Sequence, residues 1–248
     1  MLIACDRHRA ADLAAWREME SADLALAATP GHARKVARSE SALGEFAGGG
    51  PFYVSVSWGK DSVALAGLVA AMGIRVPLVH LRAIPVANPE SVRVRDAFLS
   101  LYPAVDYREA EVDYRDIPPG ADIDTAEREK DRRFFAAFAA AGRSCGPRHA
   151  AGVRADESRV RKIRMRRWGL LSPNAAAPIG WWSAADVFAF LAGSGLPVHP
   201  NYAMLGGGRW PREHLRVDEL AGERGVEFGR REWEREYYGD ILRRAGID

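Results

Sequence analysis

The apolar positions of the chain change their period near residue 50. Over residues 6–46, Leu13, Trp16, Leu24 and Leu26 form a loose stripe at helical spacing, broken in the middle by Pro30-Gly31. The run Gly48-Gly49-Gly50-Pro51 ends that region. Beyond it, short β-branched and aromatic runs alternate with helical stretches. Residues 52–56 predict a first strand, and 63–72 a helix stopped by Gly73. A second strand is expected over 76–81, with Pro77 near its start, where proline is tolerated. Next come a helix over 89–101 and a third strand over 105–112. Asp124-Thr125-Ala126-Glu127 resembles a capping box and opens a helix ending near Gly142. A fourth strand over 149–153 leads into a basic helix over 157–168. A weak fifth strand over 177–181 precedes a helix capped by Ser183 and ending at Gly193 or Gly195. In the tail, Trp233, Tyr237, Tyr238, Ile241 and Leu242 recur at helical spacing.

Strand–helix alternation implies right-handed βαβ units. The expected fold is α/β: a doubly wound, mainly parallel, five-stranded Rossmann-like sheet. Residues 49–205 would form its central domain, flanked by helical extensions over 1–48 and 206–248. Ligands of such sheets bind beyond the carboxyl ends of the strands, where the strand order reverses. The loops after strands 1 and 4 are therefore the first places to look.

Composition narrows the class. With 248 residues, 48% hydrophobic and 27% charged, the chain can bury a core. No apolar run approaches the roughly 18 residues of a membrane span, and the start breaks into charge at Asp6-Arg7 too early for a signal peptide. Cys5 and Cys145 are too few for a disulfide framework, a four-cysteine zinc site or a four-cysteine iron–sulfur site. A cytoplasmic protein without structural zinc, iron–sulfur cluster or membrane contact is expected. Net charge is +2, but the basic charge is concentrated: residues 154–167 hold seven Arg and Lys against Asp156 and Glu157.

The hexamer Ser57-Trp58-Gly59-Lys60-Asp61-Ser62 follows strand 1 and runs into a helix. Free N–H groups at a helix start, with the positive end of its dipole, bind phosphate. Gly59 permits close approach, Ser57 and Ser62 can donate, and Lys60 adds charge. Asp61 beside a phosphate suits a helix cap or a Mg²⁺ ligand. The loop lacks the G-x-x-x-x-G-K-[ST] pattern of a Walker A sequence.

These residues resemble the PP-loop, S-G-G-K-D-S, of ATP pyrophosphatases and phosphoadenosine-phosphosulfate (PAPS) reductases. Gly152-Val153-Arg154-Ala155-Asp156-Glu157-Ser158 resembles the G-[IV]-R-x-x-E-S signature of the reductase branch. Residues 182–188 and 196–202 resemble its W-x-x-x-D-V-W and L-P-x-x-P-x-Y stretches. Trp58 departs from the family's glycine. Where that position needs φ > 0, Trp costs about 1–2 kcal/mol; in an allowed conformation it would instead cover the nucleotide.

The resemblance implies that ATP and Mg²⁺ bind through Ser57, Trp58, Gly59, Lys60, Asp61, Ser62, Gly152 and Arg154, with Lys60, Asp61 and Arg154 catalytic. His80 and Arg82 close strand 2, where the family holds adenosine, although His80 reads equally as a satisfied strand-end residue. Glu157 either caps the following helix or holds Arg154, and Arg159, Arg161 and Lys162 extend the positive field. His199 and Tyr202 line the acceptor side or fasten their loop. The activity implied is cleavage of ATP between its α- and β-phosphates with adenylylation of an acceptor. PAPS reduction is not expected, because residues 209–248 contain no cysteine. The compact form resembles the SspD and DndC proteins of DNA phosphorothioation. That implies DNA or another nucleic acid as acceptor and a cysteine desulfurase as sulfur donor. Two alternatives stay open: a PAPS-reductase-like nucleotide-binding protein without reductase activity, and a non-catalytic adenine-nucleotide module. Cys145, placed in a loop before strand 4 between Arg143 and Arg148, is a candidate sulfur carrier or an inert loop residue.

Overall fold

A computed structural model describes residues 1–85, 87–117, 122–217, 220 and 230–244. Five parallel strands, β1 (Tyr53–Val56), β2 (Leu78–Ile84), β3 (Tyr107–Asp113), β4 (His149–Ala151) and β5 (Ala175–Ala176), lie in the order β3-β2-β1-β4-β5. The order reverses between β1 and β4, where Ser55 sits opposite Ala151. The loops after these two strands therefore emerge side by side. The fold is the expected doubly wound α/β arrangement.

Two helices, α1 (Ala10–Ala27) and α2 (Pro30–Gly48), precede the sheet. The crossovers are α3 (Lys60–Ala71), α4 (Glu90–Leu101), α5 (Ile123–Cys145) and α6 (Arg159–Trp168), followed by α7 (Ala184–Gly193) and α8 (Arg230–Arg244). Helix α3 is apolar on nearly every side because it lies between the sheet and α7. Gly67 makes the close approach possible: a Cβ there would stand 2.4 Å from Leu196 Cδ1. One core cluster runs from Trp16, Leu43 and Phe46 through Val54, Leu65 and Phe188 to Trp233 and Tyr238. The buried Asp23 carboxylate takes two 2.6 Å bonds from Arg212, whose guanidinium lies 4.1 Å over the Phe188 ring. This fastens α1 to the segment after residue 209. No described helix is long and apolar enough to cross a membrane.

Several element boundaries differ from the sequence reading, each for a local reason. Helix α3 starts at Lys60 rather than Val63, because Lys60, Asp61 and Ser62 form its first turn. Strand β2 runs on to Ile84, paired with β3 through all seven residues, so His80 and Arg82 lie within the strand rather than at its close. The cap of α5 is Asp122, which accepts from the Thr125 N–H at 3.1 Å, and not the expected Asp124. The same helix continues past Gly142 to Cys145 and stops at Gly146, whose φ of 98° suits glycine. Cys145 is thus the last residue of a helix, not part of a loop. Strand β5 lies at 175–176, and 177–182 is a turn closed by bonds from Gly180 N–H to Ala177 O and Trp182 N–H to Ile179 O.

Candidate functional site

The loop from β1 into α3 is held by its own side chains. Ser62 Oγ accepts from the Ser57 N–H at 3.1 Å and donates to Gly59 O at 3.0 Å. The Val63 N–H makes the first helical bond, to Gly59 O at 3.0 Å. Amides ahead of it face away from the helix, and one of them is capped from a distant element: Lys60 N–H donates to Tyr202 Oη at 3.1 Å. Tyr202 therefore fastens the first turn of α3, a role the sequence gave no reason to assign. Gly59 is needed by space, since a Cβ there would stand 2.8 Å from Val217 Cγ2 and 3.3 Å from Tyr202 Oη.

Trp58 adopts φ = 62°, the one non-glycine residue with positive φ among those described. Of the two conformations expected for it, this is the strained one. Its ring is fully buried and turned inward, with centroids 5.5 Å from Tyr107, 5.7 Å from Phe98 and 6.2 Å from His80.

Asp61 is the centre of the charge arrangement. Its Oδ2 lies 2.6 Å from Lys60 Nζ and its Oδ1 2.5 Å from Arg154 Nε. Lys60 is 6% exposed and Arg154 3%, so both cations depend on protein partners rather than water. Arg154 also donates to Trp182 O at 3.4 Å and to Asp156 Oδ2 at 3.3 Å. Its own N–H donates to Glu157 Oε2 at 2.7 Å, and Glu157 takes Arg161 at 2.6 Å. Glu157 thus holds Arg154, while Ser158 caps α6. Two buried cations meet on Asp61 at the positive end of α3, and Asp156 reaches Arg154 from its other side at 3.3 Å.

Gly152 brings the two loops together. A Cβ there would stand 2.6 Å from Asp61 O, 2.7 Å from Asp61 C and 2.9 Å from Ser62 N. These are backbone atoms and cannot swing aside. Gly152→Ala is expected to destabilise the fold by about 1–3 kcal/mol, the range for overpacking, and to weaken nucleotide binding with it. Thermal unfolding and calorimetric titration with ATP check this; wild-type values in both would show that the loops tolerate separation.

Both Asp61 oxygens are engaged by cations, and no cluster of three His, Cys, Asp or Glu side chains among the described residues is arranged to hold a metal. The donors present do not fit a resident Mg²⁺ ion.

Beside the loop, on the β2 side, lies a cavity of about 380 Å³ lined by Ser57, Trp58, His80, Arg82, Arg95 and Phe134, among others. Glu109 organises its polar wall. Burial pushes the Glu109 carboxyl up, but hydrogen bonds from Tyr107, His80 and Arg82 outweigh it and bring the pKa down to about 2. Burial lowers the pKa of His80 against the pull of Glu109; His80 Nδ1 lies 3.2 Å from Tyr107 Oη and 3.3 Å from Glu109 Oε2. Arg82 Nε donates to Glu109 at 2.9 Å, with a second bond to Glu111. His80 and Arg82 are thus partnered strand residues whose side chains also line the cavity.

His199 is fully buried, and burial lowers its pKa to about 3. Its Nδ1 accepts from the Asn201 N–H, and its Nε2 lies 3.3 Å from Ser91 Oγ, so it fastens its loop. Cys145 Sγ accepts from Arg108 at 3.3 Å and packs against Tyr53, Val79 and Ala141. Tyr53 opens β1 and Ser57 follows its end, so Cys145 lies toward the amino edge of the sheet, away from the phosphate loop.

The fold is similar to that of a solved PAPS reductase. PAPS reductase from Candida auris, in a phosphate complex, matches with a TM-score of 0.51 and 13% identity over 74% of this chain and 89% of its own. NMN synthetase from Francisella tularensis gives 0.49 and 12%, over 85% and 90% of the two chains. The U34-tRNA thiolase NcsA from Methanococcus maripaludis, with its [4Fe-4S] cluster, gives 0.42 and 16%, over 78% and 65%. No family model and no curated protein matches the sequence. At 13% identity the likeness to the PAPS reductase establishes a common fold.

Proposed function

We propose that the chain is an ATP pyrophosphatase, taking ATP with Mg²⁺ as its substrate complex and adenylylating an acceptor. The observation that carries this is the convergence of buried Lys60 and Arg154 on Asp61 at the start of α3. An acceptor oxygen attacks the α-phosphorus; its O–P bond forms as the bond to the bridging β-oxygen breaks, and pyrophosphate leaves. Lys60, Arg154 and the loop amides neutralise the charge that builds on the phosphates, and the loop keeps them in line. The cavity between Trp58 and Phe134 receives the nucleoside, beside His80 and Arg82. The likeness to a PAPS reductase fold supports a nucleotide in this position. PAPS reduction is not part of the reading, because Cys145 lies toward the other edge of the sheet.

The acceptor chemistry proposed is sulfur modification of nucleic acid, of the DNA phosphorothioation type, with a cysteine desulfurase supplying sulfur. The basic segment 154–167 beside Arg154 supports a polyanionic acceptor.

The test is release of pyrophosphate from ATP, with and without DNA, together with transfer of the labelled adenylyl group to the DNA. Lys60→Ala is expected to weaken ATP binding by about 1–3 kcal/mol, the scale of a charged hydrogen bond. Cys145→Ser is expected to keep pyrophosphate release within a few-fold of wild type. ATP binding with no pyrophosphate release under any condition would leave a nucleotide-binding module instead.

A further inference from the structure

Arg154 is held from two sides. Its Nε bonds Asp61 in the phosphate loop, and its terminal nitrogen bonds Asp156 and Trp182 O. Asp156 and Trp182 belong to a second recess, a groove of about 500 Å³ between the start of α6 and the turn at 180–183. Arg159, Lys162 and Trp181 line it as well. Arg154 therefore joins the phosphate loop, through Asp61, to the wall of this groove, through Asp156 and Trp182.

Three features of the groove are unusual for a solvated surface. The acidic residues of the segment are already engaged, Asp156 by Arg154 and Glu157 by Arg161; Arg159 and Lys162 have no carboxylate partner among the described residues. Trp181 remains 37% exposed in the groove. The groove also continues onto α6, whose single buried residue is Met165 and whose Val160, Ile163 and Trp168 stand open to solvent. On the far flank of α6, Trp168, Arg161 and Arg164 line a further groove of about 660 Å³. Helix α6 is thus a basic ridge with an exposed indole in the groove on each flank.

We infer that the ridge and its grooves dock a single strand of nucleic acid, which leads a phosphodiester toward Arg154. This rests on the adenylyl-transfer reading and specifies its acceptor. Unpaired cations take the phosphates, and exposed indoles offer faces on which unpaired bases stack. A duplex keeps its base faces inside and cannot use the indoles. A flat lipid surface cannot enter grooves on opposite flanks of one helix.

The experiment measures anisotropy of a labelled deoxythymidine strand of about 15 nucleotides, a length in the range that single-strand sites cover. The wild-type protein should bind it more tightly than a duplex of equal length or vesicles with anionic headgroups. Arg159→Glu with Lys162→Glu should weaken binding at least about 10-fold and flatten its salt dependence. Trp181→Ala should weaken it by about 5-fold or more, as loss of one stacking platform does. ATP affinity should stay within about two-fold of wild type in Trp181→Ala, and thermal melts matching wild type show that both variants fold. Unchanged strand affinity in the charge-reversed variant, or equal binding of duplex or vesicles, overturns the inference. Strand binding without any pyrophosphate release would defeat the catalytic reading alone; pyrophosphate release without strand binding would defeat this one alone.

Discussion

Arg154→Ala is expected to lower pyrophosphate release by about 100- to 1000-fold, the effect of removing one preorganised donor from a developing anion. The guanidinium is 3% exposed and fixed at Asp61, Asp156 and Trp182 O, so no mobile side chain can replace it. The protein should still fold, because Asp61 keeps Lys60 as its partner at 2.6 Å. Arg154→Lys should recover only part of the loss: one ammonium retains the charge but cannot reach three acceptors in a planar fork. Steady-state pyrophosphate release with a thermal melt of each variant separates catalysis from folding. Wild-type turnover in a folded Arg154→Ala protein would remove this arginine from the site.

Trp58→Gly restores the residue that the resembling loops carry, and it is nevertheless expected to destabilise. Relief of a left-handed backbone at φ = 62° returns about 1–2 kcal/mol. Emptying the space of a fully buried indole among Phe98, Tyr107 and His80 costs about 3–5 kcal/mol. The balance is a loss of about 1–4 kcal/mol, read as a lower midpoint in chemical denaturation. A variant as stable as wild type would mean that the pocket around the indole closes without cost.

The residues that announced themselves in the sequence are those whose role is local. Lys60, Asp61 and Ser62 lie within one turn of α3, and the strand–helix alternation places Arg154 beyond the neighbouring strand. The geometry linking them is not local. Nothing in the run containing Tyr202 says that its hydroxyl receives the Lys60 N–H from 142 positions away. The length of β2 was hidden too. Its last residues are held by pairing with β3, a strand whose residues Arg108 to Glu111 are exposed, so no apolar run marks its span. The cap of α5 was misplaced because Asp122 and Asp124 carry the same chemistry two residues apart, and only the Thr125 bond distinguishes them. Trp58 shows the opposite limit. Its departure from glycine is visible in sequence, but which of its two conformations holds is decided by Phe98 and Tyr107, on other elements.

The Asp61 bridge makes ligand binding an exchange rather than an addition. In the free protein both cations already have a counter-ion within 2.6 Å, so an incoming anion gains only what it offers beyond that carboxylate. A triphosphate brings several charges and can occupy Lys60, Arg154 and the helix amides together. A lone monophosphate offers little more than Asp61 itself. The loop therefore discriminates by charge count: it grips the nucleotide while the phosphate chain is whole and releases the adenylylated acceptor, with its shorter chain, once that chain is cut.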